Sequence, residues 1–384
     1  MLKPTILSIS MATVMSGAAI APALGVIAKA FPEATPTMIK MILTAPALAI
    51  IPFTFLTSYL TTILPKRNIA LIGLVAFLIG GVTPQFMPSI EWIIFFRLIL
   101  GAGVGVLMPL SQSLIYDHFT GKERTRMMGF NSAFSNLGGI VTMLIAGWLA
   151  TFGWQLPFYV YLLGTLVFIL IFFFLPKGEI QKPQPNEKRA KIPMAIYGYA
   201  LALGGIMLSY YAVAINIAIY LEQNNLGGPV LAGTVVSLTT FGGMITSFFL
   251  VQIMSVLKQY IIPVMLLCMG GAFLILSMTN TVALVMVSVC LIGFAQGSLF
   301  PVITIKALNR VKTHQTDKSI AIITSFIFIG QFLSPVVLDL ISKIANQTVV
   351  RFQFGALSLM ILISMVVLFF RTWNMPVTQL QKSK

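Results

Sequence analysis

The sequence predicts an all-α membrane protein with twelve transmembrane helices arranged in two pseudo-symmetric six-helix bundles. Three observations lead there. Only 9% of the 384 residues are charged while 58% are hydrophobic, which leaves too little polar surface for a fold in water. About twelve apolar runs each approach the ~20 residues that cross ~30 Å of hydrocarbon as a helix. Finally, part of the chain repeats at an offset of 192, half its length. Gly101, Gly105 and Pro109 recur as Gly293, Gly297 and Pro301, and Phe134 and Gly138 recur as Phe326 and Gly330.

Taken in chain order, the runs that we number 1 to 12 cover residues 5–29, 38–63, 68–87, 92–116, 128–150, 156–175, 195–221, 230–254, 260–278, 281–304, 319–342 and 352–370. The first is too long for a secretory signal core and lacks a small-x-small exit, so it is read as helix 1. Glycine and proline are scattered through the runs, which membrane helices tolerate where neighbours satisfy the freed backbone groups. No segment shows the polar-apolar alternation of a membrane barrel. Runs 1–6 form an N-terminal bundle (1–175) and runs 7–12 a C-terminal bundle (195–384). Between them, 176–194 carries KGEIQKPQPNEKRAK, whose charges and prolines build no core, so a flexible cytoplasmic linker is expected. Longer loops are expected at Asp117–Met127 and Asn309–Lys318, after helices 4 and 10. Lys66 and Lys258 stand 192 apart in the loops after helices 2 and 8. Parallel repeats buried in a membrane are the build of two-lobed transporters.

The formal net charge of +15 reflects topology rather than a nucleic-acid surface. Lys29, Lys40, Lys343 and Arg351 fall on one face, Arg97 lies inside helix 4, and every other Lys and Arg falls on the opposite face. This asymmetry places both termini in the cytoplasm, and no basic helix is interleaved with exposed aromatics. Cys268 and Cys290 fall within helices and read as small apolar side chains. His118 and His314 lie in loops without a cluster at metal-ligand spacing. There is no GK[ST] phosphate loop and no GxSxG nucleophile motif, so an enzyme, a metal site and ATP as energy source are not expected.

With a six-plus-six split at a charged linker and the segment RLILGAGVG from Arg97 to Gly105, the chain resembles the major facilitator superfamily over essentially its whole length. Arg97 and Gly101 sit where that family has a helix-4 arginine and glycine. Helix 5 is similar to the signature of the drug:proton antiporter branch, whose glycines follow G-x8-G-x3-GP-x2-GG. Gly129, Gly138, Ala146 and Gly147 fit that spacing, while Thr142 and Met143 replace the Gly-Pro pair, and Pro335 lies 192 after Met143. Of the family's G-x-L-a-D-r-x-G-r-k loop, the segment SYLTTILPKR (Ser58 to Arg67) keeps only Lys66 and Arg67. The resemblance implies a monomeric secondary transporter of the bacterial cytoplasmic membrane that works by alternating access without a cofactor. Its partners would be lipid, protons and a small-molecule substrate. Export of amphipathic or lipophilic compounds by proton antiport is the expectation. Uptake or facilitated diffusion of a specific metabolite or organic anion is the alternative, since residues 5–28 contain no carboxylate.

The candidate site residues follow from this. Ionisable groups in a membrane helix are costly and therefore functional candidates, which singles out Arg97, Glu222 and Asp339 for proton coupling. Arg97 serves binding or coupling, or else a structural ion pair or outward snorkelling, and the two acids carry protons or simply sit at the water interface. Arg97, Tyr210, Tyr211, Asn216, Gln296 and Gln331 are expected around the substrate, among Phe and Met side chains whose adaptable surfaces suit varied apolar ligands. Gly101, Gly105, Gly293 and Gly297, with Gly129, Gly138, Gly147 and Pro335, mark close helix packing or moving surfaces. Lys66 and Arg67 either latch the lobes through Asp117 or only set topology.

Overall fold

In the computed structural model, residues 2–176, 192–311, 315–347 and 349–373 are described. Nearly all of the expected linker 176–194 and His314 lie outside these residues. Among the described residues, eleven runs are long and apolar enough to cross a membrane. One of them, Pro229–Met278, has 50 residues, about twice what a bilayer requires. Its backbone turns at Lys258, at φ +47°, into the 3-10 turn Lys258–Tyr260 and so becomes two helices.

The helices are α1 (Leu2–Ala30), α2 (Pro36–Leu60), α3 (Lys66–Val82), α4 (Ile90–His118), α5 (Gly121–Leu149), α6 (Leu163–Phe174), α7 (Met194–Gln223), α8 (Pro229–Leu257), α9 (Ile261–Met278), α10 (Val282–Leu308), α11 (Thr316–Ile344) and α12 (Val350–Trp373). Local chemistry explains their ends and breaks. Pro22 lacks an N–H and α1 tightens into a 3-10 turn at Ala21–Ala23. The Thr35 side chain caps α2 by accepting from the Met38 N–H, with Pro36 in the first turn where no donor is needed. The long loop expected at Asp117–Met127 is corrected: α5 begins at Gly121. The polar segment from Lys122 to Arg126 extends the helix beyond the apolar core, because charged straight-chain residues are good helix formers where water solvates them. Thr316 likewise starts α11 inside the second expected loop.

Packing repeats at an interval of six helices. In the first half α1 packs on α5, α2 on α4, and α3 on α4 and α6; in the second half α7 packs on α11, α8 on α10, and α9 on α10 and α12. The contacts between halves pair up in the same way, α2 with α11 and α8 with α5. The repeated glycines explain the intimate pairs. A Cβ on Gly105 would lie 2.7 Å from the Ile50 carbonyl, and one on Gly297 would lie 2.7 Å from that of Gly243. Cβ atoms on Gly101 and Gly293 would collide with the backbones of Pro46 and Thr239. Only the bare backbone of glycine permits such approach.

Candidate functional site: a central cavity closed at one face

Between the halves lies a cavity of about 610 Å³. Helices α1, α2, α4 and α5 line one side through Thr13, Ile50, Val104 and Asn136, and α7, α8, α10 and α11 line the other through Tyr211, Thr239, Gln296 and Gln331. Of the expected substrate residues, Tyr210, Tyr211, Gln296 and Gln331 are thus brought together. Gly17 makes room for the Tyr211 hydroxyl, which would be 2.6 Å from a Cβ there, with the Gln331 amide nitrogen at 3.8 Å. Pro301 and Pro335 withhold the N–H groups that a continuous helix would offer to the carbonyls of Gly297 and Gln331, both of which line the cavity. Asn216 is corrected: it is fully buried away from the cavity lining, and its amide atoms have no hydrogen-bond partner among the described residues.

Arg97 does not reach the cavity either. It is fully buried and donates to the carbonyls of Ile42 (2.8 Å) and Ser16 (2.6 Å) and to the Tyr161 hydroxyl (2.7 Å), whose ring it also faces at 5.1 Å. One guanidinium therefore fastens α1, α2 and the 3-10 segment Leu156–Leu162 to α4. The fork of five donors makes arginine suited to such a junction. Ser16, whose carbonyl Arg97 holds, itself lines the cavity.

The halves meet at the face that carries the turns after α1, α5, α7 and α11. There Lys40 Nζ lies 2.5 Å from Asp339 Oδ1, Thr37 donates to Asp339 Oδ2 at 2.8 Å, and the Gln353 amide donates to Asp339 Oδ1 at 2.9 Å. The lysine is only 3% exposed. Glu222 pairs with Lys29, also across the halves, in a more exposed position. A Cβ on Gly147 would lie 2.8 Å from the Pro229 carbonyl, so α5 and α8 cross nearly backbone to backbone. Lys40, Thr37 and Gln353 were not among the candidates read from the sequence. The available signal was a lysine four residues into an apolar helix, which resembled an interfacial topology charge.

On the opposite face, the ion pairs among the described residues stay within the first half. Lys66 Nζ lies 2.6 Å from Asp117 Oδ2 and 2.5 Å from Ser113 Oγ, and Lys3 pairs with Glu123 at 2.7 Å. Arg67 donates to the Phe172 carbonyl instead of to Asp117. The expected Lys66–Asp117 pair thus forms, but it joins α3 to α4 within one half and, among the described residues, does not bridge the lobes. Gly138 packs on Met11, whereas nothing lies within 4 Å of a Cβ at Gly129, which corrects its reading as a close-packing glycine.

These elements match the model of the Major Facilitator Superfamily over residues 6–335, with a second match over 201–383. The chain belongs to this superfamily. The membrane-crossing runs among its described residues fit that assignment. Among curated relatives, the multidrug transporter protein MdtP of Bacillus subtilis is 28% identical over 38% of this chain and 28% of its own length. The methylenomycin A resistance protein of Streptomyces coelicolor is 28% identical over 43% of this chain and 38% of its own length. The matched region thus spans well under half of each of these relatives. The fold is also that of the nucleoside transporter NupG (TM-score 0.76, 12% identity, 98% of this chain and 100% of that one). A bacterial homolog of the human lysosomal transporter Spinster, in an inward-facing and occupied conformation, gives a TM-score of 0.75 at 14% identity, covering 98% and 97%.

Proposed function

We propose that this superfamily member exports small amphipathic or lipophilic compounds across a bacterial cytoplasmic membrane by alternating access, in exchange for protons. The observation that carries this reading is the cavity between two repeated halves. It is walled by Met, Phe, Val and Ile side chains, with uncharged hydrogen-bonding groups such as Asn136, Tyr211, Thr239, Gln296 and Gln331 set among them and, among the described residues, no ionisable carboxylate or base. An apolar wall carrying dispersed uncharged polar groups suits solutes that have both an apolar body and a polar part. The names of two relatives, multidrug transporter and methylenomycin A resistance protein, support the direction. The unit is a monomer whose six-helix bundles, 1–175 and 195–384, rock about the cavity on the cytoplasmic linker 176–194. With both termini cytoplasmic, as the placement of basic residues implies, the joined face is the outer one and the cavity belongs to the inward-facing end of the cycle.

Asp339 is the coupling carboxylate in this scheme. When α2 and α11 part on the outer side, Lys40 leaves and the carboxylate takes a proton from outside; when they meet again, Lys40 displaces that proton, which leaves through the central cavity toward the cytoplasm. The test is transport by proteoliposomes of fluorescent amphipathic compounds, with and without an imposed pH gradient. Export is expected to follow the gradient and to lose that dependence in Asp339→Asn. Flux indifferent to the gradient in the unmodified protein would overturn antiport and identify a facilitator.

A further inference from the structure

The cavity described above contains a charge imbalance. Among the described residues its lining has no Asp, Glu, Lys, Arg or His, and the chain has only nine acidic residues in which a counter-charge might reside. Glu222 and Asp339 pair with Lys29 and Lys40 at the joined face, and Asp117 and Glu123 pair with Lys66 and Lys3 at the other. Glu33 precedes α2, Glu91 and Asp317 lie in the first turns of α4 and α11, and Glu179 and Glu187 fall within the linker. Among the described residues, therefore, no carboxylate lines the cavity.

Arg97, by contrast, stands directly behind its wall. All its hydrogen-bond partners are neutral: the Ile42 and Ser16 carbonyls and the Tyr161 hydroxyl. A guanidinium cannot shed its proton in a protein, so the charge is permanent, and its partners orient dipoles toward it without cancelling it. Among apolar walls, a lone charge acts on its surroundings with little screening.

Resting on the transporter reading of this cavity, we infer that Arg97 sets the substrate class by charge: the site accepts neutral and anionic amphipathic compounds and rejects organic cations. Two unit charges about 8 Å apart at an effective dielectric near 20 interact strongly enough to change an equilibrium on the order of 30-fold. A cation must overcome that repulsion in addition to its own desolvation. An anion of the same shape recovers part of its desolvation cost from the same field.

The experiment uses the full chain in lipid nanodiscs and three naphthalene probes of similar size, bearing a hydroxyl, a sulfonate or a trimethylammonium group. Binding is followed by calorimetry. The alcohol and the sulfonate are expected to bind at least tenfold more tightly than the ammonium compound. Gln331→Glu places a carboxylate in the lining beside Gly17 and Tyr211, and it is expected to improve ammonium binding at least tenfold and weaken the sulfonate. Asn136→Asp, on the opposite wall, is expected to do the same and serves if the first variant does not fold. Equal or tighter binding of the ammonium probe by the unmodified protein would overturn the inference, as would acidic variants that leave the order of the probes unchanged. Failure of all three probes to bind would instead overturn the amphipathic-ligand reading of the cavity itself.

Discussion

Two ion pairs join the halves at the same face, and they are built differently. Lys40 and Asp339 meet between α2 and α11 with the lysine 3% exposed, and Thr37 and Gln353 satisfy the carboxylate around it. Lys29 and Glu222 meet between α1 and α7 with the lysine 71% exposed. Burial determines what each can do. An exposed pair gains little over the water that it displaces and is screened by salt. A buried pair offers little net stability compared with apolar packing, but removing one partner strands a charge. The first pair is thus an all-or-none clasp, intact only when the halves meet, while the second tolerates separation.

The largest effect should come from breaking the clasp on one side. Lys40→Ala strands the Asp339 carboxylate, at a cost of about 3–5 kcal/mol to the joined conformation. Spin labels at Glu33 and Asn346, on the turns of this face, should move apart in double electron–electron resonance distance distributions. Unchanged distances would show that the clasp does not hold the halves. Combining Lys40→Asp with Asp339→Lys should bring back most of the joined population, since attraction and burial are both retained. A purely steric role for Lys40 predicts no such recovery.

The second crossing at this face, α5 against α8, provides an uncharged control. Gly147→Leu forces a side chain into the Pro229 backbone, and overpacking of this kind typically costs about 1–3 kcal/mol. It should separate the same spin labels, by less than Lys40→Ala does. At Gly129 on the same helix an added Cβ would meet nothing within 4 Å, and Gly129→Leu should leave the distances unchanged. If both glycine variants behave alike, the local clash is not what opens the face.

The contrast between these glycines also shows what the sequence could reveal. The 192-residue repeat and the apolar runs were legible because period, length and small residues are imposed locally by the bilayer and by helix packing. Gly101, Gly105, Gly293 and Gly297 sit at the close crossings for that reason. The site was legible only in part. Tyr210, Tyr211, Gln296 and Gln331 line the cavity, but Asn216, one helix turn beyond Tyr211, is turned into packing, because which face of α7 looks inward depends on neighbours far away in sequence. Arg97 was visible as an intramembrane charge, yet its partners are carbonyls and a tyrosine hydroxyl, groups that no charge-matching rule identifies. Lys40 was read as a topology charge because Gln353 and Asp339, the groups that make its burial tolerable, lie about 300 residues away in sequence.

The smallest effect is expected at the exposed pair, and it sharpens the comparison most. Glu222→Gln removes the charge but keeps the shape, and with Lys29 largely solvated the cost should be no more than about 1 kcal/mol. The spin-label distances should stay within the distribution of the unmodified protein at physiological salt. At about 1 M salt, where the Debye length falls to ~3 Å, the two distributions should still coincide. The Lys40→Ala shift should persist at that salt, because ions do not reach a lysine enclosed between α2 and α11. If Glu222→Gln instead opened the face as far as Lys40→Ala, burial would not be what separates the two pairs, and the assignment of the clasp to Asp339 alone would fail.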